Sequence, residues 1–204
     1  MRKRNRLVCG VGISDSDYQI RTQAILADGS RRWSTCPIYQ VWRSMLSRCY
    51  SLSYQAGKPT YIGCSVDPEW LRFSNFSKWM LSQNWEGLAL DKDIIIPGNK
   101  VYASDRCVFI SQSLNSFLND HGASQGEWPI GVHLHAESGR FRSECSNPFT
   151  GKRERLGGFS CPHAAHDAWR SRKHQHALRY ADMQIDQRIA ESLRARYSEI
   201  KEKY

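Results

Sequence analysis

The stretch Leu88–Asn119, LALDKDIIIPGNKVYASDRCVFISQSLNSFLN, decides how the first half of this chain folds. It begins with an apolar segment that carries two aspartates around a lysine, and a proline-glycine-asparagine turn follows. A second apolar segment precedes residues whose leucine and phenylalanine side chains recur at helical spacing around Asn115. Periodicity and turn residues therefore predict a strand, a turn, a second strand and a short helix. The stretch contains no histidine.

Outward from this stretch, the sequence predicts a two-domain protein of the α+β class. A small, polar segment after the stretch has the composition of a linker. The predicted parts are a basic arm and hairpin (1–36), a domain with the ββα unit (37–120), the linker (121–128), a second domain (129–182) and a C-terminal amphipathic helix (183–204).

The residues before the ββα unit predict several further elements. Alternating residues predict a hairpin that pairs Leu7–Ile13 with Tyr18–Leu26 across a serine- and aspartate-rich turn at residues 14–17. A proline in the first turn and one apolar face predict a helix from Pro37 to Cys49. A polar loop is expected at 51–60, and a short strand at Tyr61–Val66.

Composition favours a folded chain with an anionic partner. The 204 residues are 40% hydrophobic, carry seven tryptophans and have a net charge of +9. Most basic residues are arginines, and their interleaving with aromatic residues makes double-stranded DNA the expected partner. The seven cysteines lack a CxxC pair, which argues against a secreted disulfide framework and a standard zinc finger.

No apolar run approaches the ~20 residues that span a bilayer. The basic N-terminus is not followed by an apolar segment of signal-peptide length. We therefore expect a soluble protein without a membrane partner, located in the cytoplasm, and in the bacterial host cytoplasm if a phage encodes it.

The segment from about residue 39 to residue 119 resembles phage-encoded HNH-type endonucleases. That family has a Trp-x-x-Met-x-x-Arg-Cys helix, a Tyr-x-Gly-Cys/Ile-x-Val strand, a Glu-Trp helix start and then a ββα nuclease finger. The matching residues here are Trp42, Met45, Arg48, Cys49, Tyr61, Gly63, Cys64, Val66, Glu69, Trp70 and Phe76. The resemblance implies a nuclease-like fold for the first domain.

The segment from Pro129 to about Asp182 resembles the DNA-binding (AP-two type) domain of plant ethylene-response factors. Many phage HNH homing endonucleases carry this module at the C-terminus. A Leu-Gly-Gly-Phe sequence at residues 156–159 matches the family's strand end. Three strands and then a helix from about Pro162 are predicted, with the strands at Ile130–Ala136, Arg140–Cys145 and Lys152–Phe159.

The resemblance to HNH endonucleases implies candidate catalytic residues. In such a finger, a histidine on the first strand deprotonates water while Asp, His or Asn side chains hold one divalent metal. Lys92 aligns at or next to this histidine, and all seven histidines of the chain lie at residue 121 or later. The implied catalytic residues are Lys92, Asp91, Asp93 and Asn115, and the implied Mg²⁺ ligands are Asp91, Asp93 and Asp105.

Several interpretations of these residues stay open. Lys92 could act as a desolvated base or a transition-state cation, with Asp91 or Asp93 holding Mg²⁺. A histidine of the second domain could reach the finger. The finger could be an inactive scaffold retained for DNA binding. Finally, Asp91, Lys92 and Asp93 could simply form an ion-paired strand end.

The second domain carries the candidate DNA-binding residues. The resemblance implies that its sheet enters the major groove, where Arg140, Arg142, Arg153 and Arg155 would contact guanine edges and phosphates and Glu144 would accept from cytosine. Strand alternation independently places the arginines on one face, where they would repel one another without an anionic partner. His133 and His135 share a strand face, but two further ligands at suitable spacing are missing, so zinc is not expected.

Three functions therefore remain. The chain could be a Mg²⁺-dependent endonuclease, a DNA-binding module that does not cut, or a phage-encoded inhibitor of a host protein. For the inhibitor, the interface would be an apolar stripe on the last helix, which could instead dock on the body of the protein or pair with a second copy. The stripe consists of Ile185, Ile189, Leu193, Tyr197 and Ile200.

Overall fold

The computed structural model describes residues 7–119 and 127–198 of the chain. The chain divides into two compact units, Met1–Ile110 and Ser111–Tyr204, and its class is α+β, as predicted. The basic arm at residues 1–6, most of the predicted linker and the end of the apolar stripe lie outside the described residues.

The first unit contains a hairpin, three α-helices and two small two-stranded sheets in its described part. Strands β3 and β5 pair in parallel, and β4 and β6 pair antiparallel. Two 3-10 turns, at Pro59–Tyr61 and Pro68–Leu71, connect its elements. In chain order the elements are β1 Arg21–Ile25, β2 Arg31–Thr35, α1 Pro37–Tyr50, α2 Leu52–Gly57, β3 Ser65–Val66, α3 Phe73–Leu81, β4 Ala89–Asp91, β5 Val101–Tyr102 and β6 Val108–Ile110.

An aromatic core holds the first unit together. Helix α1 begins at the predicted proline and buries one face at helical spacing, which confirms the predicted helix. The indole of Trp42 is fully buried, and its Nε1 donates to the backbone carbonyl of Trp70 at 2.7 Å. Phe73 packs on Trp42 with ring centroids 5.4 Å apart, so α1 and the start of α3 share one core.

The hairpin exists, but the predicted pairing was wrong. Arg21–Ile25 pairs with Arg31–Thr35, so the turn lies at Asp28 and Gly29 and not at residues 14–17. Gly29 takes the left-handed conformation (φ +78°) that such a three-residue hairpin loop requires. Asp15, in the predicted turn, instead accepts hydrogen bonds from the backbone and hydroxyl of Ser74 at the start of α3.

Two further predictions in this region were also wrong. The expected polar loop contains α2, because Ser51 accepts a hydrogen bond from the Tyr54 amide and caps a short helix. The side chain of Gln55 then donates to the Cys49 carbonyl at 2.8 Å and holds α2 against the end of α1. The strand predicted at Tyr61–Val66 is shorter, Ser65–Val66, since a 3-10 turn occupies its beginning.

The second unit is a three-stranded antiparallel sheet covered by a long helix. Its strand order is β7-β8-β9, and the succession of three strands and a helix is as predicted. In chain order the elements are α4 Gln112–Leu118, β7 Val132–His135, β8 Arg140–Ser146, β9 Arg153–Phe159, α5 Pro162–Asp182 and α6 Gln187–Ala195.

Helix α4, the last element of the predicted ββα unit, belongs to the second unit. Lys173 of α5 is buried and donates from Nζ to the Phe117 carbonyl at the end of α4, 2.7 Å away. The Phe117 ring also packs on Tyr180 of α5, with centroids 5.1 Å apart. The residues of the predicted finger are therefore divided between two cores.

Helix α6 packs on α5 and is shorter than the predicted segment 183–204. Asp186 caps its start through a hydrogen bond from the Arg188 amide. Ile189 and Leu193 of the apolar stripe are buried within this unit, whereas Ile185 is exposed. Tyr197, with φ +65°, lies beyond the end of the helix. Of the three alternatives for the stripe, the two buried residues support docking on the body of the protein.

No helix among the described residues is both long and apolar enough to cross a membrane.

A glycine next to α5 gives a test of this packing. Gly131 has φ +78°, and a Cβ there would overlap the indole of Trp169. We expect Gly131→Ala to lower the free energy of unfolding by ~2–4 kcal/mol, since it adds overpacking to left-handed strain. Urea denaturation measures this change. Gly139→Ala is the control, because Gly139 has φ +64° but open space around it, and an equal loss in both variants would contradict the packing.

Candidate nucleic-acid interface

The first candidate site lies where β4 ends, at Asp91. One carboxylate oxygen of Asp91 accepts hydrogen bonds from the backbone amides of Asp93 (2.9 Å) and Ile94 (2.7 Å). Burial raises the pKa of Asp91 above its ordinary value, and the neighbouring Asp93 carboxylate adds to this effect, while the two amides oppose it. Asp91 therefore shapes the turn that leaves the strand.

Lys92 is 7% exposed and closes the following loop. Its ammonium donates to the Asp93 carboxylate (3.0 Å) and to the Asn99 backbone carbonyl (2.8 Å). The Asn99 side chain in turn donates to the backbone carbonyls of Lys92 (2.6 Å) and Val101 (2.8 Å). The amine of Lys92 is therefore occupied by two structural hydrogen bonds within its own loop. The geometry matches the ion-paired strand end among the open interpretations.

The candidate Mg²⁺ ligands do not form a metal cluster. The Asp105 side chain is 72% exposed and lies 3.6 Å from the Nε of Arg106. Asn115 lies in α4, in the second unit. Within residues 7–119 and 127–198, no three His, Cys, Asp or Glu side chains come together as ligands of one ion. The magnesium site that the resemblance implied on Asp91, Asp93 and Asp105 stays a prediction.

The second candidate site is the face of the β7-β8-β9 sheet that α5 does not cover. Strand register places Arg142 opposite His133, and Glu144 opposite Arg155, so these side chains point to the same side. The alternate residues of β8, such as Cys145, are buried on the other side. We call this surface the arginine face, and its members are Arg140, Arg142, Glu144, Arg153 and Arg155, with His133 and His135 on β7.

Two acceptors, Glu144 and the Gly158 carbonyl, orient three arginines of this face. Glu144 accepts from Arg153 at 3.4 Å and lies 3.7 Å from the Nε of Arg155. Arg140 donates to the backbone carbonyl of Gly158 at 2.7 Å. The side chains of Arg153 and Arg155 are nevertheless 73% and 87% exposed. Ion pairs this exposed contribute ~0–1 kcal/mol, so a phosphate can compete with Glu144 for the arginines.

Sequence reasoning missed what the glycine pair in β9 does. Gly158 lies opposite Arg142 and leaves the outward side of the strand without a side chain. The guanidinium of Arg140 lies over this position, with its Nε close to where a Cβ would be. The Gly-Gly sequence within a strand was the available signal, since glycine in a strand often marks a close approach.

A polar cluster beneath β9, in which His176 is buried and its partners are partly exposed, was also missed. On the inner side, Glu154 lies 3.2 Å from the Nε2 of His176 and 3.3 Å from the Nε of Arg172, and it accepts from Asn147 at 2.9 Å. These contacts tie β9 to α5 and so keep the arginine face outward. The alternation Arg-Glu-Arg at residues 153–155 was the sequence signal for an inward glutamate.

A cleft of about 630 Å³ adjoins the arginine face within the second unit. Its lining includes Trp169 and Lys173 of α5 together with His133, Glu144 and Arg153. Three residues of the face therefore line a concave surface of the size common for ligand sites. The sequence did not predict the cleft, because it depends on where α4 lies against the sheet.

In comparisons with known proteins, no family model, no curated protein and no solved structure matches the chain.

The cluster beneath β9 predicts a pH dependence of stability. Burial lowers the pKa of His176 below 6.5, and a hydrogen bond from Asn147 lowers that of Glu154. Below about pH 6.5 the unfolded imidazole binds a proton that the folded one does not, so stability falls, by at most ~1.4 kcal/mol per pH unit for one proton. The urea midpoints measured at pH 7.5 and at pH 5.5 should therefore lie closer together for His176→Gln than for the unmodified chain.

His163→Gln is the control for this experiment. His163 is exposed on the same helix, so its removal should leave the difference between the two pH values unchanged. An equal pH effect in the unmodified chain and in His176→Gln would contradict the account of the cluster.

Proposed function

We propose that this chain binds double-stranded DNA and that the arginine face makes the contact. The observation that carries the proposal is the arrangement of four exposed arginines on one side of a sheet whose other side is covered by α5. A surface with this much like charge is unfavourable alone and favourable against an anionic partner.

The shape and chemistry of the arginine face favour duplex DNA among anionic partners. Three strands spaced ~4.8 Å apart give a ribbon roughly 10 Å wide, and the major groove is ~12 Å wide. The planar guanidinium group makes paired hydrogen bonds with phosphates and with guanine edges. The net charge of +9 supports the same partner, since it attracts a polyanion at long range.

The contacts within the face also suit binding. Glu144 and the Gly158 carbonyl hold Arg153, Arg155 and Arg140 in extended positions before a partner arrives. Side chains that are already ordered lose less conformational entropy on binding. The resemblance to the ethylene-response-factor domain implies the same surface.

The geometry of the finger favours binding over cleavage. The Lys92 ammonium already donates to Asp93 and Asn99, and Asp91 accepts from two backbone amides. These side chains have structural partners that explain their presence without chemistry on DNA. The inhibitor alternative has no specific support either, because Ile189 and Leu193 of its interface are buried within their own unit.

Neutralising two arginines of the face tests the proposal. Arg142→Gln with Arg155→Gln should weaken duplex binding by roughly tenfold or more, since a base contact is worth ~1–3 kcal/mol. If both side chains contact phosphates, the slope of log K against log salt should become shallower by ~1.8. Fluorescence anisotropy with a labelled duplex, titrated over a range of NaCl concentrations, measures both quantities.

The matched control is Arg188→Gln with Arg194→Gln. It removes the same two charges from exposed positions of α6, outside the arginine face. Equal losses in the control and in the face variant would mean that net charge alone matters, and the assignment of the surface would then be wrong.

A further inference from the structure

The β1–β2 hairpin of the first unit has no buried residue in either strand. Its loop is nevertheless well specified, because the Leu26 amide donates to the Ser30 carbonyl at 2.8 Å and Asp28 accepts from the Ser30 amide at 2.9 Å. At its base, the Cys36 amide donates to the Ile20 carbonyl at 2.8 Å, and β2 then leads into α1. The hairpin is thus anchored at one end and solvated along its length.

Core packing does not explain this hairpin. A two-stranded hairpin without a packed face is only marginally stable in water. Ile25 is 75% exposed and Trp33 is 52% exposed, so two large apolar side chains remain in solvent. Both side chains lie on the same side of the hairpin, where they offer apolar surface to a partner.

The charge of the hairpin indicates the kind of partner. Residues 21–35 contain three arginines and one aspartate, which gives three minus one, or a net charge of +2. Register places Arg21, Gln23 and Ile25 on the same side as Thr35, Trp33 and Arg31. The other side carries mainly small residues, and Arg32 is its only long side chain. Long basic and amide side chains therefore project from one side of a thin ribbon.

An aromatic contact orders this side of the ribbon. The guanidinium carbon of Arg21 lies 4.4 Å from the centroid of the Trp33 ring. Such a cation–π contact holds the guanidinium group flat against the indole and leaves its edge to donate. The arginine is thereby presented to a partner in a fixed direction.

We infer that this hairpin is a β-ribbon that enters a groove of duplex DNA and makes a second contact in addition to that of the arginine face. The inference rests on the proposed function. A two-stranded ribbon fits the ~12 Å major groove, and five residues per strand span roughly 17 Å along it. Arginine and glutamine are the side chains that pair with guanine and adenine edges, and Arg21, Gln23 and Arg31 share one side.

The test compares three double variants of the full chain with the unmodified chain. Arg21→Gln with Arg31→Gln removes two of the three arginine charges of the hairpin, both at exposed positions where folding does not depend on burial. Arg43→Gln with Lys78→Gln removes two charges from exposed helix positions of the same unit and is the control. Arg142→Gln with Arg155→Gln reports on the arginine face. Circular dichroism and urea midpoints establish that each variant is folded.

Anisotropy with a labelled duplex at several NaCl concentrations gives the readout. The hairpin variant should bind roughly tenfold more weakly than the control, with a salt slope shallower by up to ~1.8. A hairpin variant that matches the control, while the arginine-face variant binds weakly, overturns the inference and leaves the proposed function intact.

Other outcomes separate the two proposals further. Weak binding by the hairpin variant alone supports the hairpin contact and removes the arginine face as the interface. If the unmodified chain does not bind duplex DNA, both proposals are overturned.

Discussion

The packing of Trp169 against the backbone of Gly131 is the contact on which the second unit depends. It brings α5 down on one side of the three-stranded sheet, where Ala165 and Ala177 are small enough to be fully buried. Because that side is filled, the alternate residues of β8 and β9 must face solvent, and these residues include Arg140, Arg142, Arg153 and Arg155. The polar cluster around Glu154 reinforces the arrangement by tying β9 to the same helix.

The finger region shows that residues typical of a catalytic site can have structural partners. Burying the Lys92 ammonium costs desolvation energy, and this cost is offset only where the charge and its donors are satisfied. The Asp93 carboxylate and the Asn99 carbonyl accept hydrogen bonds from the ammonium. The Asn99 side chain donates to the Lys92 and Val101 carbonyls. The set fixes the loop between β4 and β5. With α4 held by Lys173 in the second unit, no single core surrounds the whole predicted finger.

Periodicity predicted the elements whose apolar pattern is long and regular. Helix α1 and the succession of β7, β8, β9 and α5 were confirmed, and the burial pattern repeats regularly in α1, β8 and α5. Turn chemistry explains the hairpin error: Asp28-Gly29 supplies the left-handed residue that a tight hairpin needs, whereas the serine-aspartate stretch before it does not. Helix α2 was missed because its cap, Ser51, lies within a segment that is otherwise polar.

The candidate sites were also predictable to different degrees, because periodicity describes neighbours along one strand or helix and not contacts between distant residues. Strand alternation placed Arg140 with Arg142, and Arg153 with Arg155, on one face of their own strands, because a period of two needs no tertiary information. The register of β8 and β9 brings both pairs to the same side. Pairings between residues distant in sequence, such as Glu154 with His176, are invisible to periodicity. The roles assigned to the finger residues came from resemblance, which carries chemistry from a family but not the local hydrogen bonds of Lys92.

The most direct measurement of the central claim, that the chain binds duplex DNA without cutting it, is an electrophoretic assay with supercoiled plasmid. The purified chain would be incubated with plasmid in Mg²⁺, in Mn²⁺ and in EDTA, and each sample would be run with and without removal of protein. The account predicts retarded DNA that is intact after protein removal in all three conditions. Absence of retardation would contradict DNA binding. Metal-dependent nicking that Asp91→Ala abolishes would contradict the structural role of the finger.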